Sequence, residues 1–225
     1  MRMRKKKNLE ERLAQCADNL IIIDREDRNF NSADNDRGLF DLSELFGNTN
    51  PTELEIGCGK GQFACTLAQR QPQVNLLAAE KCANVIVSAC EKARKAEIDN
   101  VKFLKCSAEY LESYIPPHSI SRIYLNFSCP FPKNKYASHR LTAAPFLKIY
   151  KNIMAPDAQI HMKTDNAKLF EFSIEQLSNA GFAFKNVTLD LHNSGFENNI
   201  VTEYEQKFVD HGLPIYRLEA YVKAD

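Results

Sequence analysis

From residue 52 onward, short apolar runs alternate with amphipathic segments. Residues 52–56 read as a buried strand that ends at glycines, 62–69 as a helix, 74–79 as an apolar strand, and 83–96 as a helix rich in strong helix formers. The alternation continues through strand 101–106, strand 120–127, helix 143–154, strand 159–163 and helix 167–180, which Gly181 stops. Residues 182–191 and 215–222 alternate in polarity as two closing strands. Before residue 50 only 9–17 shows a weak helical pattern. The Asn/Asp-rich stretch after it reads as irregular.

Strands alternating with helices predict an α/β fold of the Rossmann-like class, a mostly parallel, doubly wound sheet. The last two strands lack a clear helix between them, which predicts an antiparallel edge. Residues 46–225 are expected to form the single domain, with 1–45 as a basic and polar N-terminal extension. In such sheets ligands bind outside the carboxyl ends of the strands, so the loops after each strand are where function should lie.

Bulk composition adds limits. In 225 residues, 44% are hydrophobic and 26% charged, which describes an ordinary chain with material for one sizeable core. No apolar run approaches a membrane span, and no apolar signal core follows the basic start, so a cytoplasmic location is expected. The seven cysteines form no CxxC pair, which points away from zinc and from a disulfide framework, and no metal is expected. Lys and Arg balance Asp and Glu at 29 each, where a nucleic-acid binder usually carries a basic surplus. The local run Arg2, Arg4, Lys5, Lys6 and Lys7 is either a solvated tail or an RNA-contacting arm. The chain is expected to be a monomer or a homodimer.

The first loop of the domain reads Glu55-Ile56-Gly57-Cys58-Gly59-Lys60-Gly61. Its GxGxG spacing differs from the GxGxxG of dinucleotide sites. A carboxylate just before the glycines would repel a pyrophosphate but accept hydrogen bonds from an ammonium. The N-terminus of the next helix suits a carboxylate. A ligand with both groups fits, and the methionine end of S-adenosylmethionine is one. Glu80 closes the following strand, where an acid can accept both ribose hydroxyls. Gly57, Gly59 and Gly61 are the turn that would cradle this ligand.

Four runs then resemble one family. Asn126-Phe127-Ser128-Cys129-Pro130-Phe131-Pro132-Lys133 is similar to the N-F-S-D-P-W-P-K motif of bacterial tRNA (guanine-N7)-methyltransferases, the TrmB family. Lys163-Thr164-Asp165-Asn166 resembles its K-T-D-N segment, residues 199–205 its N-I-x-T-x-Y-E segment, and residues 55–63 its E-I-G-C-G-K-G-Q-F loop. The resemblance implies a Rossmann-like fold of S-adenosylmethionine-dependent methyltransferases and transfer of a methyl group from that cofactor to N7 of a guanine in tRNA, in the variable loop. It implies Glu55 and Glu80 as cofactor ligands. Lys133, Asp165, Thr202, Glu203, Tyr204 and Glu205 would contact tRNA, with the basic residues from Lys133 to Arg140 against its backbone. Asp165 and Glu205 would hold the N1–H and N2–H edge of guanine. Capping of the next helix is the plainer role for Asp165 and Asn166.

Three positions depart from the pattern. Cys129 replaces the Asp that the family assigns to cofactor contact and catalysis, and a thiol is a weak hydrogen-bond partner. Ser107 stands where an Asp usually reads adenine, with the neighbouring Glu109 as its substitute if the loop shifts. The 133–140 loop carries fewer cations than usual, and each lost phosphate contact weakens RNA binding. The alternative is a catalytically weakened or inactive paralogue that binds cofactor or RNA.

Overall fold

The computed structural model describes residues 5–23 and 38–222. Arg2, Arg4 and most of the acid-rich stretch expected to be irregular lie outside the described residues. Among the described residues, one eight-stranded sheet carries the fold, in the order β1-β4-β3-β2-β5-β6-β8-β7. The strands are β1 Leu20–Ile22, β2 Thr52–Ile56, β3 Asn75–Ala79, β4 Val101–Lys105, β5 Ile120–Asn126, β6 Met154–Thr164, β7 Phe182–Thr188 and β8 Tyr216–Val222. The helices are α1 Leu9–Ala14, α2 Leu42–Phe46, α3 Gln62–Arg70, α4 Ala83–Lys95, α5 Ala144–Ile153, α6 Ala167–Asn179 and α7 Glu203–Val209.

The pairings from β1 through β6 are parallel, and β8 inserts between β6 and β7 antiparallel to both. The antiparallel edge is therefore present, but β8 lies one strand inside the border. Strands β2 and β3 are buried at every position, as parallel strands covered on both faces must be. One face packs α5 and α6 through Phe146, Tyr150, Phe170 and Leu177. The other packs α1, α3 and α4 through Leu13, Phe63, Leu67 and Ile86.

Three elements differ from the expected pattern. Residues 9–22 pack against the sheet and α4. Leu9, Leu13 and Cys16 are buried against α4, Arg12 grips Glu91 with two hydrogen bonds of 2.6 and 2.7 Å, and β1 extends the sheet beside β4. Helix α2 exists because Asp41 caps it, accepting from Ser43 N and Glu44 N, and Gly47 ends it at φ 69°. Helix α7 fills the interval between the last two strands and starts with a Thr202–Glu205 capping box.

The chain winds from β2 outward through β3 and β4, then crosses back to β5 on the other side of β2. The order thus reverses between β2 and β5. Their carboxyl ends, Ile56 and Asn126, open the crevice where a ligand belongs.

Candidate active site

Two cavities meet at this crevice, sharing Gly57 and Phe127 in their walls. The smaller, about 340 Å³, has Glu55, Gly59, Asn126 and Tyr204 in its lining. The larger, about 540 Å³, runs past Glu80, Ser107, Glu109 and Cys129. Both volumes lie within the usual range for small-molecule sites.

The loop after β2 makes the junction. Gly57 N–H and Cys58 N–H both donate to Ala79 O, at 2.8 and 3.0 Å, which folds the loop back over β3. Gly57 and Gly59 have φ of 81° and 58°, and a Cβ on either would meet open space. Gly61 differs. Its φ is 72°, and a Cβ there would come within 2.5 Å of Ala89 Cβ. The first two glycines keep the cavity side clear, whereas Gly61 lets the start of α3 press against α4.

Glu55 is buried at the floor of the smaller cavity. Asn126 Nδ2 donates to its Oε1 at 2.9 Å, and among the described residues nothing donates to Oε2. Burial pushes its carboxyl up from 4.5 to about 7. The Asn126 hydrogen bond, the Lys163 charge and the nearby Ala64 backbone N–H oppose that rise, and Glu80 adds to it. A buried acceptor without a donor is costly unless a ligand supplies one. At the end of β3, Glu80 Oε1 accepts from Cys82 N at 2.8 Å, and Glu80 lies in the wall of the larger cavity. Ser107 and Glu109 share that wall, and the Ser107 hydroxyl donates to Glu109 Oε2 at 3.1 Å. The structure thus provides a buried carboxylate with an open oxygen, a clear glycine bend and further carboxylates at Glu80 and Glu109 in two adjoining cavities. These residues fit S-adenosylmethionine.

The loop after β5 forms the partition. Strand β5 ends at Asn126, one residue earlier than expected, because Phe127 turns left-handed at φ 51°. Phe131 does the same at φ 41°. Such conformations cost side-chain-bearing residues about 1 kcal/mol or more and gather at functional sites. Here they set the Phe127 ring against Tyr204, 5.2 Å between centroids, at the joint of the two cavities. Cys129 is exposed on the rim of the larger one. Burial, then the Asp165 carboxylate, then Cys129 raise the pKa of the Tyr204 hydroxyl, so Asp165 and Cys129 both lie near Tyr204.

The remaining expected residues divide by position. Asp165 is half-buried at the end of β6. Asn166 is the cap of α6, accepting from Leu169 N at 2.8 Å, which relieves Asp165 of that task. Thr202, Glu203 and Tyr204 line the smaller cavity. Glu205 does not reach it. Its carboxylate is fully buried, accepting from Lys163 at 2.8 Å and Asn199 at 2.6 Å, with His192 Nε2 at 3.1 Å. Lys133 is exposed at the start of a 3₁₀ turn, Asn134–His139. Arg140 is committed to the loop itself, donating to Pro130 O and Phe131 O at 3.0 Å each and lying over the Phe172 ring. Asn126 and Phe127 line the site and Lys163 backs it through Glu205, although sequence reasoning gave them no role. They lay inside the quoted motifs, but their contacts exist only in three dimensions.

Among the described residues, no group of three or more His, Cys, Asp or Glu side chains is placed to hold a metal, and no helix is long and apolar enough to cross a membrane.

Solved structures share this architecture. The 16S rRNA methyltransferase KamB aligns with a TM-score of 0.60 at 15% identity, covering 84% of this chain and 96% of that one. A SAM-dependent methyltransferase from Aquifex aeolicus gives 0.55 at 18% identity, covering 81% and 89%. At such identities the likeness carries the fold alone. Fold and site together define a Rossmann-like, S-adenosylmethionine-dependent methyltransferase. A family model described as "Putative methyltransferase" matches residues 49–218. The tRNA (guanine-N(7)-)-methyltransferase of Bacillus subtilis is 43% identical over 219 residues, which cover 97% of this chain and 98% of that protein. The enzyme of the same name from Brevibacillus brevis is 46% identical over 178 residues, covering 79% and 83%. The chain belongs to the tRNA (guanine-N(7)-)-methyltransferase family.

Proposed function

We propose that the protein transfers the methyl group of S-adenosylmethionine to N7 of a guanine in tRNA. The carrying observation is Glu55, a buried carboxylate with one oxygen unpartnered beside an open glycine bend. Membership of the family supplies the acceptor.

When bound, S-adenosylmethionine supplies a methyl group activated by a sulfonium. Guanine N7 has a free lone pair, so no side chain has to remove a proton before attack. The task of this chain is alignment and exclusion of water. Glu55 accepts the cofactor's ammonium, and that contact draws the carboxyl into its ionised form. Glu80 accepts the ribose hydroxyls, and Ser107 with Glu109 faces the adenine end. Phe127 and Tyr204 wall the point where the methyl must cross between the cavities.

On the acceptor side, Asp165 receives the N1–H and N2–H edge of guanine and compensates the positive charge that develops on the base. Thr202 and Glu203 border the same opening, and Lys133 and Lys135 meet tRNA phosphates. Glu205, fully enclosed, supports this segment from behind. Cys129 occupies the place of the family's aspartate and lends no charge there while it stays a thiol. A cytoplasmic location follows from the tRNA substrate.

The test uses methyl-labelled S-adenosylmethionine with tRNA lacking N7-methylguanosine. Label should enter tRNA with the wild-type chain and fall at least about a hundredfold with Glu55→Ala, the cost of one lost electrostatic anchor. Labelling of small nucleosides but not of tRNA would overturn the assignment of substrate.

A further inference from the structure

Lys163 lies behind the smaller cavity, beside Asn126 in its wall, with its ammonium buried. It donates to Asn199 Oδ1 at 2.9 Å, Ile200 O at 3.0 Å and Glu205 Oε2 at 2.8 Å, so every proton of one ammonium serves one segment. That segment runs on into Thr202, Glu203 and Tyr204, which line the cofactor cavity. Its far side is tied to α3, where Glu203 N donates to Gln62 Oε1 at 2.8 Å. On β6, Lys163 stands in register with Asn126, the residue that donates to Glu55. Its Nζ lies 5.7 Å from the centroids of both the Phe63 and Phe127 rings.

We propose that Lys163 is a positioning residue, tying the 199–205 segment and its Tyr204 to the cavity floor at Asn126 and Glu55, so that filling the cofactor site strengthens the grip on the acceptor base. The proposal rests on the methyltransferase function argued above. Its physical basis is that one buried cation answers to two carboxylates. Glu205 is bonded to it directly, and Glu55 feels its charge through space. Around Glu55, the other groups are Glu80 from the end of β3, neutral Asn126 from β5, and the thiols of Cys58 and Cys65, which burial keeps protonated. Lys60 and Lys207 stand at the exposed mouth of the cavity. A cofactor ammonium arriving at Glu55 therefore changes the field in which Lys163 holds the segment. Any such coupling must act equally in both directions.

The experiment is calorimetric titration with S-adenosylmethionine from pH 5.5 to 8.5, on the wild type, Lys163→Arg and the double variant Lys163→Met/Glu205→Gln. The double variant avoids stranding a buried charge. Affinity of the wild type should fall about tenfold per pH unit below pH 7, where Glu55 is protonated before binding. In the double variant the midpoint should move upward, because a cation that favours ionised Glu55 is gone, and Lys163→Arg should hold it near the wild-type position. Saturating S-adenosylhomocysteine should tighten tRNA binding about fivefold or more in the wild type and leave it unchanged in the double variant. An unmoved midpoint with intact coupling in the double variant overturns the proposal. If that variant does not fold, Lys163→Gln/Glu205→Gln decides, since a neutral amide pair replaces the buried ion pair of Lys163 and Glu205, and unchanged coupling there overturns the proposal too. A wild-type chain that binds no S-adenosylmethionine contradicts the methyltransferase function itself, a different outcome from either.

Discussion

Glu55 and Cys129 are the two residues on which the chemistry turns, and changing them should act in opposite directions. Glu55 has a folded-state pKa of about 7 against an ordinary 4.5, because burial penalises its charge. The resulting stabilisation is fully present below about pH 4.5 and is lost as pH rises through about 7. Cofactor-free protein should lose about 3 kcal/mol of stability across that window, and Glu55→Gln should flatten the curve in chemical denaturation at pH 5 and pH 8. A curve equally steep in the variant would show that another group is responsible. Cys129 is exposed and lies near Tyr204, as Asp165 does. Cys129→Asp returns a charged acceptor to the rim and should raise kcat by about tenfold or more, measured at saturating S-adenosylmethionine. A lower rate would mean that the loop is tuned around the thiol.

Among the elements, the loop after β2 divides its labour between glycines. Gly61→Ala forces a Cβ onto Ala89 and keeps a left-handed φ, so thermal or urea unfolding should show a loss of about 2–4 kcal/mol. Gly59→Ala meets no atom within 4 Å. It should cost stability about 1 kcal/mol from its φ alone, while weakening cofactor affinity through the space that it fills. Equal losses in the two variants would erase the distinction. The parallel core was legible because its signal is local. Residues 76–79 are uniformly apolar, residues 52–56 lie between Pro51 and Gly57, and Gly181 marks the end of α6. The shorter elements were not. β1 is three residues held by pairing with β4, and α7 buries only Glu205, a polar residue with no place in a hydrophobic pattern. The carboxylates of the site could be named from their loops, but their partners could not. Burial of Glu205 under Lys163 and the left-handed turn at Phe127 arise from strands brought together out of sequence order.

Over the whole molecule the charges cancel, 29 against 29, so attraction to RNA must come from local arrangement. Many cations are already engaged. Arg12 is bound to Glu91, Arg122 to Glu53, Arg140 to its own loop, and Arg217 to Glu219. Lys133 and Lys135 are exposed beside the larger cavity, on the 3₁₀ turn that brings Tyr136 and His139 into its wall. Replacing both lysines by Ala should reduce the slope of log affinity for tRNA against log salt by about 1–2, with binding of S-adenosylmethionine unchanged. An unaltered slope would move the RNA-contacting face elsewhere.

The most direct measurement is mass spectrometry of nucleosides from unmodified tRNA incubated with the purified chain and S-adenosylmethionine. A new 7-methylguanosine peak should appear that requires both protein and cofactor and grows with Cys129→Asp. Methyl groups on another nucleoside, or none from either form of the protein, would contradict it.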